Sequence, residues 1–133
     1  MAARRKFNER AYRDALGNFA TGVTVVTARD PGGFPVGITA NSFNSVSLDP
    51  PLVLWSLDRR SLSLPTFQQA EYFVINVLAA DQVALSRRFA RRADSGKFDR
   101  VRFTGARGGA PVLDGCAAHF LCRKSFTHDG GDH

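Results

Sequence analysis

The stretch VGITANSFNSVSLDPPLVL, residues 36–54, is the most informative part of this chain. Short apolar segments rich in β-branched residues stand at its two ends and predict neighbouring strands. Between them lies a run of small hydroxyl and amide residues, namely Thr39, Asn41, Ser42, Ser45 and Ser47. Such a run favours a segment whose backbone wraps a flat, hydrogen-bonding ligand, and an ordinary loop at a sheet edge explains it equally well.

The rest of the chain predicts a mainly β domain with peripheral helices. β-Branched and aromatic runs predict strands at residues 22–29, 35–43, 51–57, 72–78, 101–104 and 116–126, with a turn region at 105–115. Helices are predicted after a cap at Asn8, with an apolar face of Ala11, Tyr12, Ala15, Leu16 and Phe19, at residues 63–70, and from a cap at Asp81 to about Ala93. Because strands and helices do not alternate regularly, a Greek-key barrel is favoured over a doubly wound parallel sheet.

Length and composition indicate one domain, residues 1–133, whose 44% hydrophobic residues build a core without metal or disulfide. Cys116 and Cys122 fall on one predicted strand, roughly 20 Å apart, which is too far for a disulfide. No apolar stretch approaches the roughly 20 residues of a membrane helix. Asn8, Glu9 and Arg10 interrupt the basic start where a signal peptide would have its apolar core. We therefore expect a cytoplasmic protein without membrane contact.

The charge of the chain is strongly basic, with a formal net charge of +6, and all but three of its 18 basic residues are Arg. Guanidinium groups suit phosphates, so a phosphorylated small molecule and a nucleic acid both fit this charge. The aromatic residues are spaced as core residues rather than interleaved with basic ones, which argues against nucleic acid. The Arg-rich helix at 81–93 either approaches a phosphate near Ser86 or forms a solvated basic face.

The common catalytic motifs do not occur in this sequence. It contains no G-x-G-x-x-G, no Walker loop, no H-E-x-x-H and no nucleophile elbow. Its three histidines, His119, His128 and His133, suggest no Ser-His-Asp set. The run HDGGDH at 128–133 matches no standard metal spacing, so we expect no metal there and interpret it as a substrate-side loop or an unordered tail.

Six blocks of sequence together point to a family. They are YRDALGNFATGVTVVTA at 12–28, GITANSFNSVSLDPPLVLWSL at 37–57, YFVINVLAADQVALSRRFA at 72–90, KFD at 97–99, GAPVLDG at 109–115 and GGDH at 130–133. In these blocks and their order the chain resembles the short-chain flavin reductases, which adopt the FMN-binding split barrel. Members of that family usually continue past GDH with one or two more strands. The resemblance therefore implies a domain that lacks its last strand, through truncation or because the chain is naturally short.

The resemblance implies a role for each matched position. The flavin ring would be lined by Thr39, Ala40, Asn41 and Ser42, and the wall would continue toward the ribityl chain through Ser45, Val46 and Ser47. Polar contacts to the ribityl-phosphate end are expected from Ser56 and Ser61. The segment near the phosphate or adenylate half would contain Ser86, Arg87, Phe89 and Ala90, bordered by Lys97. His133 matches the family's catalytic histidine beside the nicotinamide.

The implied reaction is hydride transfer from NADH or NADPH to FMN or FAD, by a homodimer that supplies reduced flavin to a separate monooxygenase. Because the cofactors carry this chemistry, no acid–base triad is required. The alternative is a flavin-binding electron-transfer or storage module without reductase turnover, since one fold hosts several functions. The sequence leaves open the choice between the two flavins and between the two nicotinamide nucleotides.

Overall fold

The computed structural model of this chain describes residues 5–92 and 96–133. Its α-helices are α1 Glu9–Gly17, α2 Leu64–Gln69 and α3 Val83–Phe89. Its strands are β1 Thr24–Arg29, β2 Pro35–Ala40, β3 Asn44–Leu48, β4 Pro51–Leu54, β5 Tyr72–Val77, β6 Phe103–Gly105, β7 Pro111–Leu113 and β8 Ala118–Arg123. The fold is mainly β with few helices, as the sequence predicts.

An antiparallel sheet of four strands, in the order β2-β1-β5-β8, is the centre of the fold. β1 lies inside this sheet, pairing Val26 with Ile38 of β2 and with Ile75 of β5. Strands β3 and β4 form a separate hairpin, and β6 and β7 form another. These described sheets do not join into a closed barrel.

The core lies on both faces of β1, which explains why that strand is almost entirely β-branched and buried. On one face Val26 packs with Phe67 of α2 and Ile75. On the other face Val25 packs with Phe89 of α3 and Leu113 of β7. Burial on both faces therefore holds β1 rigidly, and the backbone pairing between β1 and β2 holds β2 in place as well.

A buried polar network connects the β6–β7 hairpin to the central sheet. The Asn76 amide Nδ2 donates to the Val25 carbonyl oxygen at 2.8 Å and to Thr27 Oγ1 at 3.0 Å. The Leu113 N–H donates back to Asn76 Oδ1 at 2.9 Å, and Thr27 Oγ1 donates to the Pro111 carbonyl oxygen. Every hydrogen-bonding group of this amide is used, so the network specifies one position for the hairpin.

The structure corrects several predicted elements. The polar run contains a strand, β3, and the predicted turn region at 105–115 contains the short strand β7. Asp81 does not cap α3, because Gln82 is the residue at the N-cap and α3 ends at Phe89. The predicted end near Ala93 falls outside the described residues. α2 was predicted closely, with Ser63 and Ala70 as its flanking caps.

The first helix begins as predicted, but its apolar face is largely exposed, and Tyr12 of that face packs against Phe7 with ring centroids 5.4 Å apart. The Ala11 N–H donates to Asn8 Oδ1 at 3.0 Å, so the cap is confirmed. No residue of α1 is buried, and Tyr12 and Leu16 are 53% and 55% exposed. The apolar residues of the predicted face are therefore all exposed in the single chain.

The two cysteines are free and half-buried. Burial raises the pKa of the Cys116 and Cys122 thiols, which lowers their thiolate fraction at neutral pH. No helix in the described part of the chain is long and apolar enough to span a bilayer.

Candidate functional site

The end of β2 is fixed from two sides by threonine hydroxyls. Thr24 Oγ1 of β1 donates to the Ala40 carbonyl oxygen at 2.7 Å. Thr39 Oγ1 donates to the Ser86 carbonyl oxygen of α3 at 2.6 Å. The structure therefore brings the end of β2, with Thr39 and Ala40, together with Ser86, which lies more than 40 residues further along the chain.

The loop after β2 is joined to the exit of β4 by a pair of serines. The Ser56 N–H donates to Ser42 Oγ at 2.8 Å, and Ser42 Oγ donates to the Ser56 carbonyl oxygen at 3.2 Å. The Ser42 hydroxyl is thus engaged with the backbone of Ser56, and this pair shapes the loop. Asn41, which precedes Ser42, is exposed.

The β3–β4 hairpin carries the remaining part of the predicted wall. Its register shifts between Ser45 and Ser47, so that Val46 lies in an irregularity of the β3 strand. Ser45 and Val46 are exposed, and Ser47 is half-buried. Within the described residues no hydrogen bond involves the hydroxyl of Ser45 or Ser47, which leaves both groups for a ligand.

Two of the predicted cofactor-binding residues lie in the core rather than at the surface. The Phe89 side chain is fully buried and packs edge-on against Phe98, with ring centroids 4.9 Å apart. Lys97 is 3% exposed, and its Nζ lies 3.4 Å from the carbonyl oxygens of Gly37 and Phe89. These side chains support α3 and β2 from within. A direct contact from either one to a flavin stays a prediction.

His133 lies beside the turn at residues 58–60. The Arg59 N–H donates to the Asp132 carbonyl oxygen at 2.9 Å, and Arg59 Nη2 lies 3.0 Å from Asp129 Oδ1. His133 Nδ1 lies 2.7 Å from Asp132 Oδ1. The turn is therefore the place where the HDGGDH run meets the segment that contains Ser56 and Ser61.

Asp58 and Asp132, which lie at this turn, both have lowered pKa values and are therefore ionised at neutral pH. The side chain and backbone N–H of Arg60 hydrogen-bond to Asp58 and lower its pKa to about 2, with a smaller contribution from the charge of His133. The hydrogen bond from His133 lowers the pKa of Asp132. Because an ionised carboxylate only accepts hydrogen bonds, Nδ1 is the donor in the Asp132–His133 bond, which leaves Nε2 outside that bond.

A second feature is a shallow cavity of about 820 Å³ on the outer side of α3. It is lined by Ala84, Arg87, Arg88, Arg91, Gly96, Asp99 and Arg100. Arg87 is the only predicted site residue in that lining, while Ala90 is exposed at the end of α3. The helical spacing puts this cavity on the face of α3 that does not carry Leu85 and Phe89.

The arrangement is a continuous rim rather than a catalytic triad. It runs from Ser86 through Thr39 and Ser42 to Ser56, and then past the 58–61 turn to His133. Ser61 Oγ accepts from the Ser63 N–H at 3.2 Å, which ties the end of this rim to the start of α2. Such a rim offers hydroxyls, backbone groups and one imidazole to a flat ligand.

Sequence reasoning missed Arg59, Asp129 and Asp132 as parts of the site. A signal was present, because the basic pair in DRR at 58–60 complements the acidic pair in HDGGDH at 128–133. The contact between two segments about 70 residues apart was not visible in either segment alone.

Comparison with known proteins supplies the context for this rim. The profile described as "Flavin reductase like domain" matches residues 16–133. The "FMN reductase (NADH) SmoA" of Agrobacterium fabrum is 52% identical over 126 residues, which cover 95% of this chain and 71% of that protein. The reductase component of the flavin-dependent trigonelline monooxygenase of Acinetobacter baylyi is 44% identical over 93% of this chain and 40% of its own length.

A solved structure of a flavin-reducing enzyme is also similar to this chain. The Streptomyces globisporus NADH:FAD oxidoreductase SgcE6, solved with NAD and FAD fragments, superposes with a TM-score of 0.86. It is 39% identical and covers 94% of this chain and 75% of that one. The chain spans only 40% and 55% of two similar proteins of Rhizobium meliloti, a probable flavin reductase and a stachydrine N-demethylase reductase subunit.

Proposed function

Because the chain belongs to the flavin reductase-like family, we propose that it reduces FMN or FAD with NADH or NADPH and supplies the reduced flavin to a separate monooxygenase. The observation that carries this proposal is the rim, which joins Thr39, Ser42 and Ser56 to His133 through contacts between distant segments. Relatives named as NADH-dependent reductases and as reductase components of monooxygenases support the same reaction.

The residues of the rim fit a flavin. Asn41, Ser45 and Val46 are exposed and small or medium in size, so a flat ring approaches the backbone there without displacing a bulky side chain. Ser45 and Ser47 have hydroxyls that the described protein does not use. The basic side chains near Arg87 suit the anionic end of such a ligand. Thr39, Ala40 and Ser42 would hold the ring side, and Ser56, Ser61 and Ser86 the ribityl-phosphate side.

The chain itself contributes positioning rather than proton chemistry. When bound, the nicotinamide nucleotide supplies the hydride and the flavin accepts it. Asp132 holds the His133 imidazole through Nδ1 and leaves Nε2 as the ring nitrogen that would meet the nicotinamide. The buried strand β1 fixes β2, and with it the wall formed by residues 39–42. Rigid placement of both rings is the main contribution an enzyme makes to such a transfer.

The proposal also includes the oligomeric state of the chain. We infer that the chain forms a homodimer, because Phe19, Phe34, Leu48 and Leu121 are between 64% and 96% exposed in the single chain. Pairing of these surfaces would also cover the apolar side of α1. The finer fold assignment, an FMN-binding split barrel, and a cytoplasmic location belong to this proposal as well.

The test is a steady-state assay with purified protein, NADH or NADPH, and FMN or FAD in turn. Loss of nicotinamide absorbance that depends on added flavin is expected, and the preferred pair identifies the cofactors. His133→Asn is expected to raise KM for the nucleotide more than KM for the flavin. Absence of flavin-dependent oxidation in every combination would contradict the proposal.

A second function, flavin binding without turnover, is favoured by the exposure of the nicotinamide side. The Asp129 and Asp132 side chains that surround His133 are 90% and 87% exposed. Flavin that binds tightly but is not reduced by either nucleotide would support this function, and rapid reduction would exclude it.

A further inference from the structure

Within the described residues, the hydrogen bonds and ion pairs that attach the loop at residues 129–133 to the earlier part of the chain come from one residue. Both contacts belong to Arg59: its N–H donates to the Asp132 carbonyl oxygen, and its guanidinium pairs with Asp129. In the described part of the chain, no other hydrogen bond or ion pair connects this loop to a residue before position 125. We propose that Arg59 is a positioning residue that clamps the loop and thereby sets the place of His133.

Arg59 and its neighbour Arg60 have separate partners. The Arg60 guanidinium lies 3.1 Å from Asp58 Oδ2, within its own turn. The Arg59 guanidinium instead reaches across to Asp129, 70 positions further along the chain. Arg59 thus hydrogen-bonds to and pairs with the loop, whereas Arg60 acts on Asp132 of the loop only through its charge, so the two adjacent arginines provide a matched pair for experiment.

The loop depends on an outside support because its own internal contacts are few. The Gly130 N–H donates to the His133 carbonyl oxygen at 2.8 Å and closes a turn. Gly131 at the centre of that turn has φ +82°, a conformation that glycine adopts without strain. Among the described residues, the Asp132 carboxylate hydrogen-bonds only to its neighbour His133. Such a turn keeps its shape locally, but its place relative to the rim is set by Arg59.

The two contacts of Arg59 have different consequences on substitution. The backbone N–H remains in any variant except proline, so the loop keeps one attachment. The exposed ion pair is lost, and such pairs contribute modestly to stability. The inference rests on the proposed function, because His133 affects catalysis only if it meets the nucleotide. We expect Arg59→Gln to raise KM for NADH about threefold to fivefold, in line with the usual strength of exposed ion pairs.

The experiment compares Arg59→Gln with the matched control Arg60→Gln. NADH and FMN are varied separately, and flavin affinity is measured by fluorescence titration without nucleotide. The expected result is a raised KM for NADH in Arg59→Gln only, with unchanged flavin affinity. Asp129→Asn should reproduce this effect, the double variant Arg59→Gln/Asp129→Asn should add little to it, and Arg59→Lys should restore part of it.

Other outcomes overturn the inference in distinct ways. Equal effects in Arg59→Gln and Arg60→Gln would indicate a general loss of positive charge. Weakened flavin affinity in Arg59→Gln would mean that the guanidinium binds the flavin instead of the loop. If the wild-type protein shows no turnover, the proposed function fails, and the clamp is tested by NMR of the His133 imidazole. That signal should then move in Arg59→Gln and Asp129→Asn but stay in Arg60→Gln, and an unmoved signal would refute the clamp.

Discussion

Gly37 in β2 is the position where a single added methyl group should disturb the platform under the site. A Cβ built on Gly37 lies 2.7 Å from Phe89 Cε1 and 2.8 Å from Phe89 Cδ1, and 3.2 Å from Phe98 Cζ. Ordinary carbon contacts are about 3.5–4.0 Å, so the Phe89 ring must move by close to 1 Å. That ring is fully buried and cannot move outward freely.

The magnitude follows from overpacking of a filled core. Forcing one extra carbon into such a core costs typically about 1–3 kcal/mol, and two ring atoms in close contact put Gly37→Ala near the upper half of that range. We therefore expect Gly37→Ala to lower the free energy of unfolding by about 2 kcal/mol. Gly22→Ala is the control, because a Cβ there has no neighbour within 4 Å. That control is expected to change stability by less than about 1 kcal/mol.

Urea denaturation followed by fluorescence measures both variants, since Trp55 is the only tryptophan and packs against Phe67 in the core. A double-mutant cycle with Phe89→Leu isolates the clash. Phe89→Leu alone should destabilise by about 1–2 kcal/mol, and Gly37→Ala should cost clearly less in that background than in the wild type. If Gly37→Ala costs the same in both backgrounds, or no more than Gly22→Ala, the steric reasoning is refuted.

Three further predictions concern single contacts. Thr39→Val removes the hydrogen bond to the Ser86 carbonyl, so it should cost about 1 kcal/mol in urea denaturation and weaken flavin binding in a fluorescence titration. Asn76→Ala leaves the buried Leu113 N–H without its acceptor and opens a small cavity, so a loss of about 2–4 kcal/mol is expected by the same denaturation assay. Arg60 lowers the pKa of Asp58 from 3.8 to about 2. Ionised Asp58 therefore stabilises the folded state at pH values above the unfolded-state pKa, and this stability is lost as the pH falls toward the folded-state pKa. Denaturation curves between about pH 5 and pH 2 should therefore show a weaker pH dependence in Asp58→Asn than in the wild type, and identical slopes would contradict the assignment.

Local signals in the sequence predicted the elements that depend on local physics. α2 was predicted within a residue at each end, because Pro65 lies in its first turn and Ser63 precedes it. The cap of α1 at Asn8 was right for the same reason. The exposure of α1 could not be predicted in the same way, because an apolar helix face becomes a core face only when another surface covers it.

Elements that depend on pairing were missed. β3 is polar and mostly exposed, and its strand conformation comes from pairing with β4 rather than from its own residues. β7 is three residues long and is held by Asn76 and Thr27 from the central sheet. No local pattern reports such contacts, so the sequence indicated a turn there.

The prediction of the candidate site also depended on more than the local composition of the sequence. The composition of the polar run left ligand binding and an ordinary loop equally open, and the resemblance to the flavin reductases is what predicts residues 39–42 as the flavin wall. The family motif predicted that Phe89 and Lys97 contact the ligand, whereas in the structure both side chains lie in the core. A motif records which residues occur together, and it does not distinguish a side chain that contacts a ligand from one that supports the contact.

The two halves of the rim differ in how firmly they are held, and this difference bears on the proposed reaction. The side proposed for the flavin is anchored to β1, whose residues from Thr24 to Ala28 are buried. The side proposed for the nicotinamide is a turn that, within the described residues, is attached to the earlier chain by one backbone hydrogen bond and one exposed ion pair of Arg59. Exposed pairs break at low cost, so the loop with His133 opens more readily than the wall at residues 39–42 deforms. A reductase must hold one ring still while the nucleotide enters and leaves, and a rigid wall opposite a weakly clamped loop meets both requirements.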